Sequence, residues 1–168
     1  MWRRRPWLLL CVWLLAAPLA HAQPAEAPLL TVVLADGRSQ GFSRAQLEAL
    51  PQEKAPARLR DGAPFTVSGV SVTALLKASG LDLSQSVGAG NVVGHALVAR
   101  AADGYRAVFG LAEVDPHFGH AALMVSWMTA DGSPLPARSG PLQLVATGES
   151  RPGRWVRQLQ SLEVKNLP

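Results

Sequence analysis

Cysteine is almost absent from this sequence, and its absence limits the chemistry available. Cys11 is the only cysteine among 168 residues, and it lies inside an N-terminal apolar run. Beyond that run the chain can form no disulfide and offers no thiolate nucleophile and no thiolate metal ligand. Thiol catalysis and thiolate metal sites are therefore excluded from the rest of the chain.

No apolar run is long enough for a transmembrane helix. The run from Trp7 to Leu19 contains 13 residues, whereas a membrane-spanning helix needs about 20. It follows three arginines and precedes Ala20-His21-Ala22, which has the small-x-small pattern of a signal-peptidase site. Residues 1–22 are therefore predicted to be a signal peptide cleaved near Ala22, and the protein to be periplasmic or secreted and not membrane-spanning. Sec and twin-arginine export both stay open.

The chain also lacks an excess of positive or negative charge once the signal peptide is set aside: 16 − 3 = 13 basic residues face 12 acidic ones. The net charge of the whole chain is +4, but three of its 16 Lys and Arg residues and none of its 12 Asp and Glu residues lie in the first 22 positions. A nucleic-acid-binding domain would carry a basic stripe, so nucleic acid is not expected as a partner.

The sequence has no Gly-Lys-Ser/Thr loop, no nucleophile elbow and no His-Glu-x-x-His motif, so nothing supports a hydrolase or a nucleotide-binding protein.

The remaining residues predict one β-rich α+β domain. Residues 23–28 are rich in Pro and Ala and are interpreted as a tether, and residues 29–168 as the domain. Asp-Gly occurs four times, and this pair is typical of tight turns between strands. Two short helices are expected after Ser43 and Ser71, and they do not alternate strictly with the strands. Apolar and β-branched runs predict the strands: 29–34, 57–60, 65–68, 92–100, 105–109, 123–129, 142–147 and 155–164.

Two strands have distinctive patterns. Residues 123–129 carry apolar side chains on both faces, which predicts a central strand buried on both sides. In the last strand, 155–164, Leu159 falls out of phase with the other apolar residues. A bulge is therefore predicted near residues 158–160.

Residues 147–155 form the segment most suggestive of ligand binding. Arg151 and Arg154 offer forked donors to a phosphate or a carbonyl group, and Trp155 offers a flat face on which a ring can stack. Gly153 lets the backbone come close to a ligand. The alternative is a polar hairpin loop that leads into a strand with a core tryptophan.

Three more residues are candidates for the same role. Tyr105 and Arg106 follow the third Asp-Gly pair, and the alternatives are a core tyrosine and a solvated arginine. His95 alternates with Leu97 and Ala99, so it is predicted to point inward. An inward histidine is either a ligand-binding group or a hydrogen-bonded core residue.

Four segments share their motifs and their order with a known family: Gly69-Val70-Ser71 with Leu75-Leu76, Ala102-Asp103-Gly104-Tyr105 with Phe109, Gly132-Ser133-Pro134-Leu135-Pro136 with Gly140-Pro141-Leu142, and Arg154-Trp155-Val156-Arg157 with Leu162. They resemble the motifs of the sulfite-oxidase-like molybdopterin-binding domain. The similar region spans roughly residues 30–165, which is nearly all of the predicted domain.

The resemblance implies a cleft for molybdopterin or another pterin. In catalytic members of that family, a cysteine upstream of the Gly-Val motif completes the molybdenum shell. The corresponding stretch here, Pro56 to Asp61, contains no cysteine, and neither arginine nor leucine can replace a soft thiolate. We therefore expect no metal on the protein itself. The protein is interpreted as a non-catalytic binding module that presents a pterin to a membrane sensor or a redox enzyme.

Two other functions remain open at this stage. The chain could be a component of a molybdenum-dependent oxidoreductase, or an interaction domain that keeps the fold without a ligand.

If the cleft binds a pterin, we expect Trp155→Ala to remove a stacking contact and to leave a void in the core. We expect Arg154→Ala to weaken binding with little loss of stability, because a charged loop residue is seldom part of a core.

Overall fold

The computed structural model describes residues 27–85, 92–119, 122–129 and 131–167. The predicted signal peptide and most of the predicted tether lie outside these residues. Within them the chain forms nine strands in two sheets and three short α-helices, which is an α+β arrangement. No helix in the described ranges is long and apolar enough to cross a membrane.

The strands, in chain order, are β1 (Leu30–Val33), β2 (Ser39–Phe42), β3 (Glu53–Arg58), β4 (Pro64–Ser71), β5 (His95–Ala101), β6 (Arg106–Gly110), β7 (Leu123–Ser126), β8 (Gln143–Ala146) and β9 (Leu159–Asn166). The larger sheet has the order β2-β1-β9-β5-β6, and the smaller has the order β3-β4-β7-β8. Strands β1 and β9 pair in parallel, and the other strand pairs are antiparallel.

The four Asp-Gly pairs form four turns of the same chemistry. In each turn the aspartate carboxylate accepts the backbone N–H two residues later, over distances of 2.9 to 3.0 Å. The glycine that follows has φ of 85° or 86°, a region that a residue with a Cβ rarely adopts. The first three turns connect β1 to β2, β3 to β4, and β5 to β6. The predicted turns at these positions are confirmed.

The helices are α1 (Arg44–Ala49), α2 (Val72–Ala78) and α3 (Leu111–Val114). Both predicted helices are confirmed, and both begin at the expected caps. The Oγ atom of Ser43 accepts from the N–H of Gln46 at 3.3 Å, while Oε1 of Gln46 accepts from the N–H of Ser43 at 2.8 Å. The third helix follows Gly110, which has no side chain to cap it; Oε1 of Glu113 instead accepts from the N–H of Gly110 at 2.8 Å.

Several strand boundaries differ from the sequence-based prediction. The strand predicted at 57–60 is β3, which begins four residues earlier although this stretch has no β-branched residue. Hairpin pairing with β4 imposes the extended backbone there. The last strand, predicted from residue 155, begins at Leu159. A 3-10 turn at Pro152–Arg154 precedes it, and Val156 makes only an isolated bridge to Leu144.

Two finer predictions are confirmed. Strand β7 lies between β4 and β8, and all four of its residues are buried. The predicted bulge lies in β9, where Arg100 pairs with Ser161 but Ala101 pairs with Leu159, so that Gln160 is left over. Gln158 has a positive φ of 49° just before this bulge.

The smaller sheet has two different faces. Residues such as Val70, Val125 and Leu144 point into a large buried cluster shared with the larger sheet and α2. The opposite face carries a second buried cluster of four side chains: Ala57, Val67, Met124 and Val145. Phe65 and Trp155 pack partly buried against this second cluster. The second face is where the candidate site forms.

A network of charged side chains lies on the larger sheet around Glu163. The carboxylate accepts from Nε of Arg100 at 2.6 Å and from Nζ of Lys165 at 3.0 Å. Burial by itself would raise the pKa of Glu163, but the hydrogen bonds from Lys165 and Arg100 outweigh it and hold the pKa below the ordinary value of 4.5.

We predict that Glu163→Gln lowers the free energy of unfolding by about 1 kcal/mol at pH 7. A lowered pKa in the folded state stabilises the protein above the ordinary pKa of 4.5. This contribution is lost as the pH falls through the lowered value. Urea unfolding at pH 7 and at pH 3 measures the difference between wild type and variant. A difference of the same size at both pH values would contradict the prediction.

Candidate ligand-binding cleft

Two adjoining cavities form one cleft on the second face of the smaller sheet. They share four lining residues: Arg60, Pro152, Trp155 and Arg157. We call the first cavity, about 570 Å³, the polar lobe; Asp103, Tyr105, Arg151 and Gly153 complete its lining. We call the second, about 600 Å³, the apolar lobe; its wall includes Phe65, Val67, Leu135 and Val145.

Turns that are far apart in the sequence supply the polar lobe. Arg60 comes from the β3–β4 turn, and Asp103 and Tyr105 come from the β5–β6 turn. The hydroxyl group of Tyr105 donates to the backbone carbonyl of Gly153 at 2.6 Å. This bond ties the tip of one hairpin to the 3-10 turn that precedes Trp155.

Four exposed arginines line the cleft, and none of them has a side-chain partner in the described part of the chain: Arg60, Arg138, Arg151 and Arg157. The lining includes two carboxylates, Asp61 and Asp103, and each accepts a backbone N–H of its own turn. The cleft therefore has an excess of positive charge with free forked donors. Such a surface favours an anionic group, since a guanidinium binds phosphate or carboxylate through two parallel hydrogen bonds.

Trp155 forms a wall of both lobes. Its ring meets that of Phe65 edge-on, with centroids 5.8 Å apart and an interplanar angle of 63°. Its Nε1 donates to the carbonyl of Ala146 at 3.3 Å, which fixes the ring against β8. Because the side chain is only half-buried, part of the ring stays open to the cleft, where a planar ligand can contact it.

The apolar lobe rests on alternate residues of neighbouring strands. Phe65 and Val67 of β4 lie on the same face as Gln143 and Val145 of β8, because successive side chains of a strand point to opposite sides. Leu144, between the last two, belongs to the main core instead. The site is thus built on strands whose other face is anchored in the core.

The structure does not bring Arg154 into either lobe. Its Nε donates to Oε1 of Glu149 at 2.6 Å, and both terminal nitrogens lie 3.3 Å from Oε2 of Glu113. Its Nη1 also donates to the carbonyl of Val108 at 3.3 Å, and the guanidinium lies 4.3 Å from the ring centroid of Phe109. The donors predicted to face a ligand are thus directed at the protein itself.

Electrostatics agree with this internal role of Arg154. Burial by itself would lower the pKa of its guanidinium, but the hydrogen bonds to Glu149 and Glu113 outweigh burial and raise the pKa above its ordinary value. The charged form is therefore favoured by its protein partners.

Two other candidate residues lie away from the cleft. His95 is at the first position of β5, whereas the hairpin that reaches the cleft follows the last; at about 3.3 Å per residue the two ends of this strand are roughly 20 Å apart. His95 is half-buried, and its Nδ1 has no partner in the described residues. Arg106 is exposed, pairs across the sheet with Arg100, and lines neither lobe.

Several lining residues went unrecognised in the sequence: Arg60, Phe65, Arg138, Ser139, Gln143 and Arg157. Arg60 directly precedes Asp61-Gly62, so its exposure at a turn was predictable. Nothing local indicates that this turn and the one after β5 meet at one cleft. Arg157 belongs to the motif that carries the family resemblance, and this was the one signal that could have identified it.

Among the residues that the structure describes, no group of three His, Cys, Asp or Glu side chains could hold a metal ion.

No protein-family model matches the chain, and no curated protein is significantly similar to it. The function of the cleft is therefore inferred from its own residues.

We predict that Arg154→Ala lowers the free energy of unfolding by about 1 kcal/mol, which revises the expectation from the sequence. The value stays modest because the side chain is 39% exposed and solvent screens its ion pairs. Arg151→Ala is the matched control, and its stability should stay within about 0.5 kcal/mol of wild type. Urea unfolding measures both. Equal stability of the two variants would mean that the contacts of Arg154 contribute nothing.

Proposed function

We propose that this is an exported, non-catalytic protein that binds an anionic, pterin-like ring compound in the cleft. The observation that carries the proposal is the combination, in one cleft, of a half-buried tryptophan with four arginines that have no partner in the described chain. Arginines of this kind suit a phosphate or carboxylate, and Trp155 suits a flat ring.

The size of the cleft is compatible with such a ligand. Each lobe, at about 570 and 600 Å³, falls within the range of about 300 to 1,000 Å³ that is usual for small-molecule sites. The arrangement suggests an anionic group in the polar lobe and a ring in the apolar lobe. Both parts of the ligand would then contact Trp155, which lines both lobes.

The family resemblance supports the same proposal. Three of the four similar segments contribute to the cleft: one through Asp103 and Tyr105, one through Leu135 and one through Trp155 and Arg157. We therefore propose that the domain is of the sulfite-oxidase molybdopterin-binding type.

The residues of the cleft fit the organic part of molybdopterin better than its metal. Arg60, Arg151 and Arg157 would hold the phosphate, and Trp155 would contact the pterin. The bound group would supply dithiolene sulfurs for a metal. The protein offers no thiolate beside them, since the stretch where the resemblance places a cysteine, Pro56 to Asp61, contains none. A binding role without catalysis is the consistent proposal.

Export and partners belong to the same proposal. The N-terminal basic and apolar segment supports a periplasmic or secreted location. A protein that binds a ligand without converting it would present it to a partner, such as the outer domain of a membrane sensor or a redox enzyme.

We predict that the purified full chain binds pterin-6-carboxylate, and binds uncharged pterin more weakly. Arg151→Ala and Arg157→Ala should each weaken binding of the carboxylate about tenfold, since each removes a charge-assisted hydrogen bond. Arg106→Ala is the control, because this exposed arginine lies outside the cleft. Isothermal titration calorimetry at low and high salt measures all four proteins. Absence of binding at millimolar pterin-6-carboxylate would refute the proposed function.

A second measurement separates this proposal from the molybdenum alternative. Protein purified from its native source is analysed for co-purifying small molecules by mass spectrometry and for molybdenum by elemental analysis. A molybdenum content of about one per chain would favour the oxidoreductase component. A pterin without molybdenum would support the binding module.

A further inference from the structure

Two largely buried residues in the apolar lobe have polar side chains that are not used by the protein itself. Ser139 and Gln143 are each only 8% exposed, and both line the lobe. Neither side chain makes a hydrogen bond in the described chain. Ser126 in the same lobe behaves normally, because its Oγ donates to the carbonyl of Ser68 at 2.7 Å. The polar atoms of Ser139 and Gln143 are not among the buried unpaired atoms of the described residues, so they remain accessible from the cleft and free to bind a ligand.

The carboxamide of Gln143 lies on the side of the cavity. Gln143 and Val145 alternate along β8 with Leu144, which belongs to the main core. Val145 belongs to the second cluster and lines the apolar lobe. Because residues two apart share a face of a strand, Gln143 points into the lobe beside Val145.

The carboxamide of Gln143 is available to a ligand. All four residues of β8 are largely buried, but the amide makes no hydrogen bond to the protein and is not among its buried unpaired atoms. The carboxamide carries a carbonyl acceptor and two N–H donors. Nearby, Phe65 and Trp155 provide aromatic walls for a ring. Together they form a site complementary to a flat ring with a polar edge.

We infer that Gln143, with Ser139, determines the specificity of the cleft by binding the amide-like edge of a ring. The ligand class is then an anionic ring compound with a lactam edge, where a donor and an acceptor lie side by side. Gln143 pairs with that edge while the arginines of the cleft hold the anionic group. This inference rests on the proposed function and adds to it the lactam edge as the part of the ligand that Gln143 recognises.

The test compares two anionic probes on the full chain. Pterin-6-carboxylate has a lactam edge, whereas 2-naphthoate has a carboxylate and a flat ring but no polar edge. Gln143→Leu should weaken binding of pterin-6-carboxylate about tenfold and leave binding of 2-naphthoate unchanged or stronger. Ser139→Ala, a smaller change, should weaken only the pterin, by several-fold. Calorimetry gives the affinity ratio for each protein.

Stability provides a second readout that a purely structural glutamine would not give. Without ligand, Gln143→Leu should leave the melting temperature within about 2 °C of wild type, because the amide has no protein partner and stays accessible from the cleft. A glutamine with a structural role would instead lower the melting temperature when replaced. The control is Gln40→Leu, the same substitution at an exposed position in β2. It should change neither the affinity ratio nor the melting temperature appreciably. A cooperative transition close to that of wild type also shows that the variant is folded.

The outcomes distinguish the inference from the proposed function. If wild type binds both probes and Gln143→Leu weakens both equally, or weakens neither, the inference is overturned while the anionic site stands. If wild type binds 2-naphthoate but not pterin-6-carboxylate, the lactam edge and the pterin are both overturned. If it binds neither probe, the proposed function fails as well.

Discussion

The guanidinium group of Arg154 joins three parts of the chain on which the cleft depends. It connects its own 3-10 turn to Glu149, to Glu113 in α3 and to a backbone carbonyl of β6. Strand β6 is an edge of the larger sheet, so this contact also occupies a carbonyl that another chain could pair with. With the turn held in this way, Arg151 and Trp155 on either side of it have defined positions before any ligand arrives, which reduces the entropy lost on binding.

Strands form the base of the cleft and turns or irregular segments carry its arginines, because the two faces of the smaller sheet differ. One face is committed to the main core, so the other has a rigid base on which a cavity can persist. The arginines lie at turns or in irregular segments, where water solvates an unpaired charge and little folding free energy is lost. Gln143 differs, since the residue is largely buried in a strand while its amide has no protein partner and stays accessible from the cleft.

Local chemistry explains which predictions about the fold were accurate. The Asp-Gly turns and the capping box of Ser43 and Gln46 involve residues within a few positions of each other, so short stretches contain all the interacting groups. The bulge in β9 was visible as a phase slip in the apolar pattern. Arg154 was predicted to face a ligand although one partner, Glu149, is only five positions away. Its other carboxylate partner, Glu113, is 41 positions away. No sequence pattern connects the two.

The sequence by itself determined the turns, the helix caps, the α+β class and the lack of a thiolate, because each depends on residue type and short spacing. It also singled out Trp155 and Arg151 as candidates for a site. Only the tertiary structure decided that Arg60, Arg151 and Arg157 line one cavity and that Arg154 does not. The physical reason is that the positions of turns relative to each other are set by sheet pairing and core packing, which act between distant segments and are not encoded in any one of them.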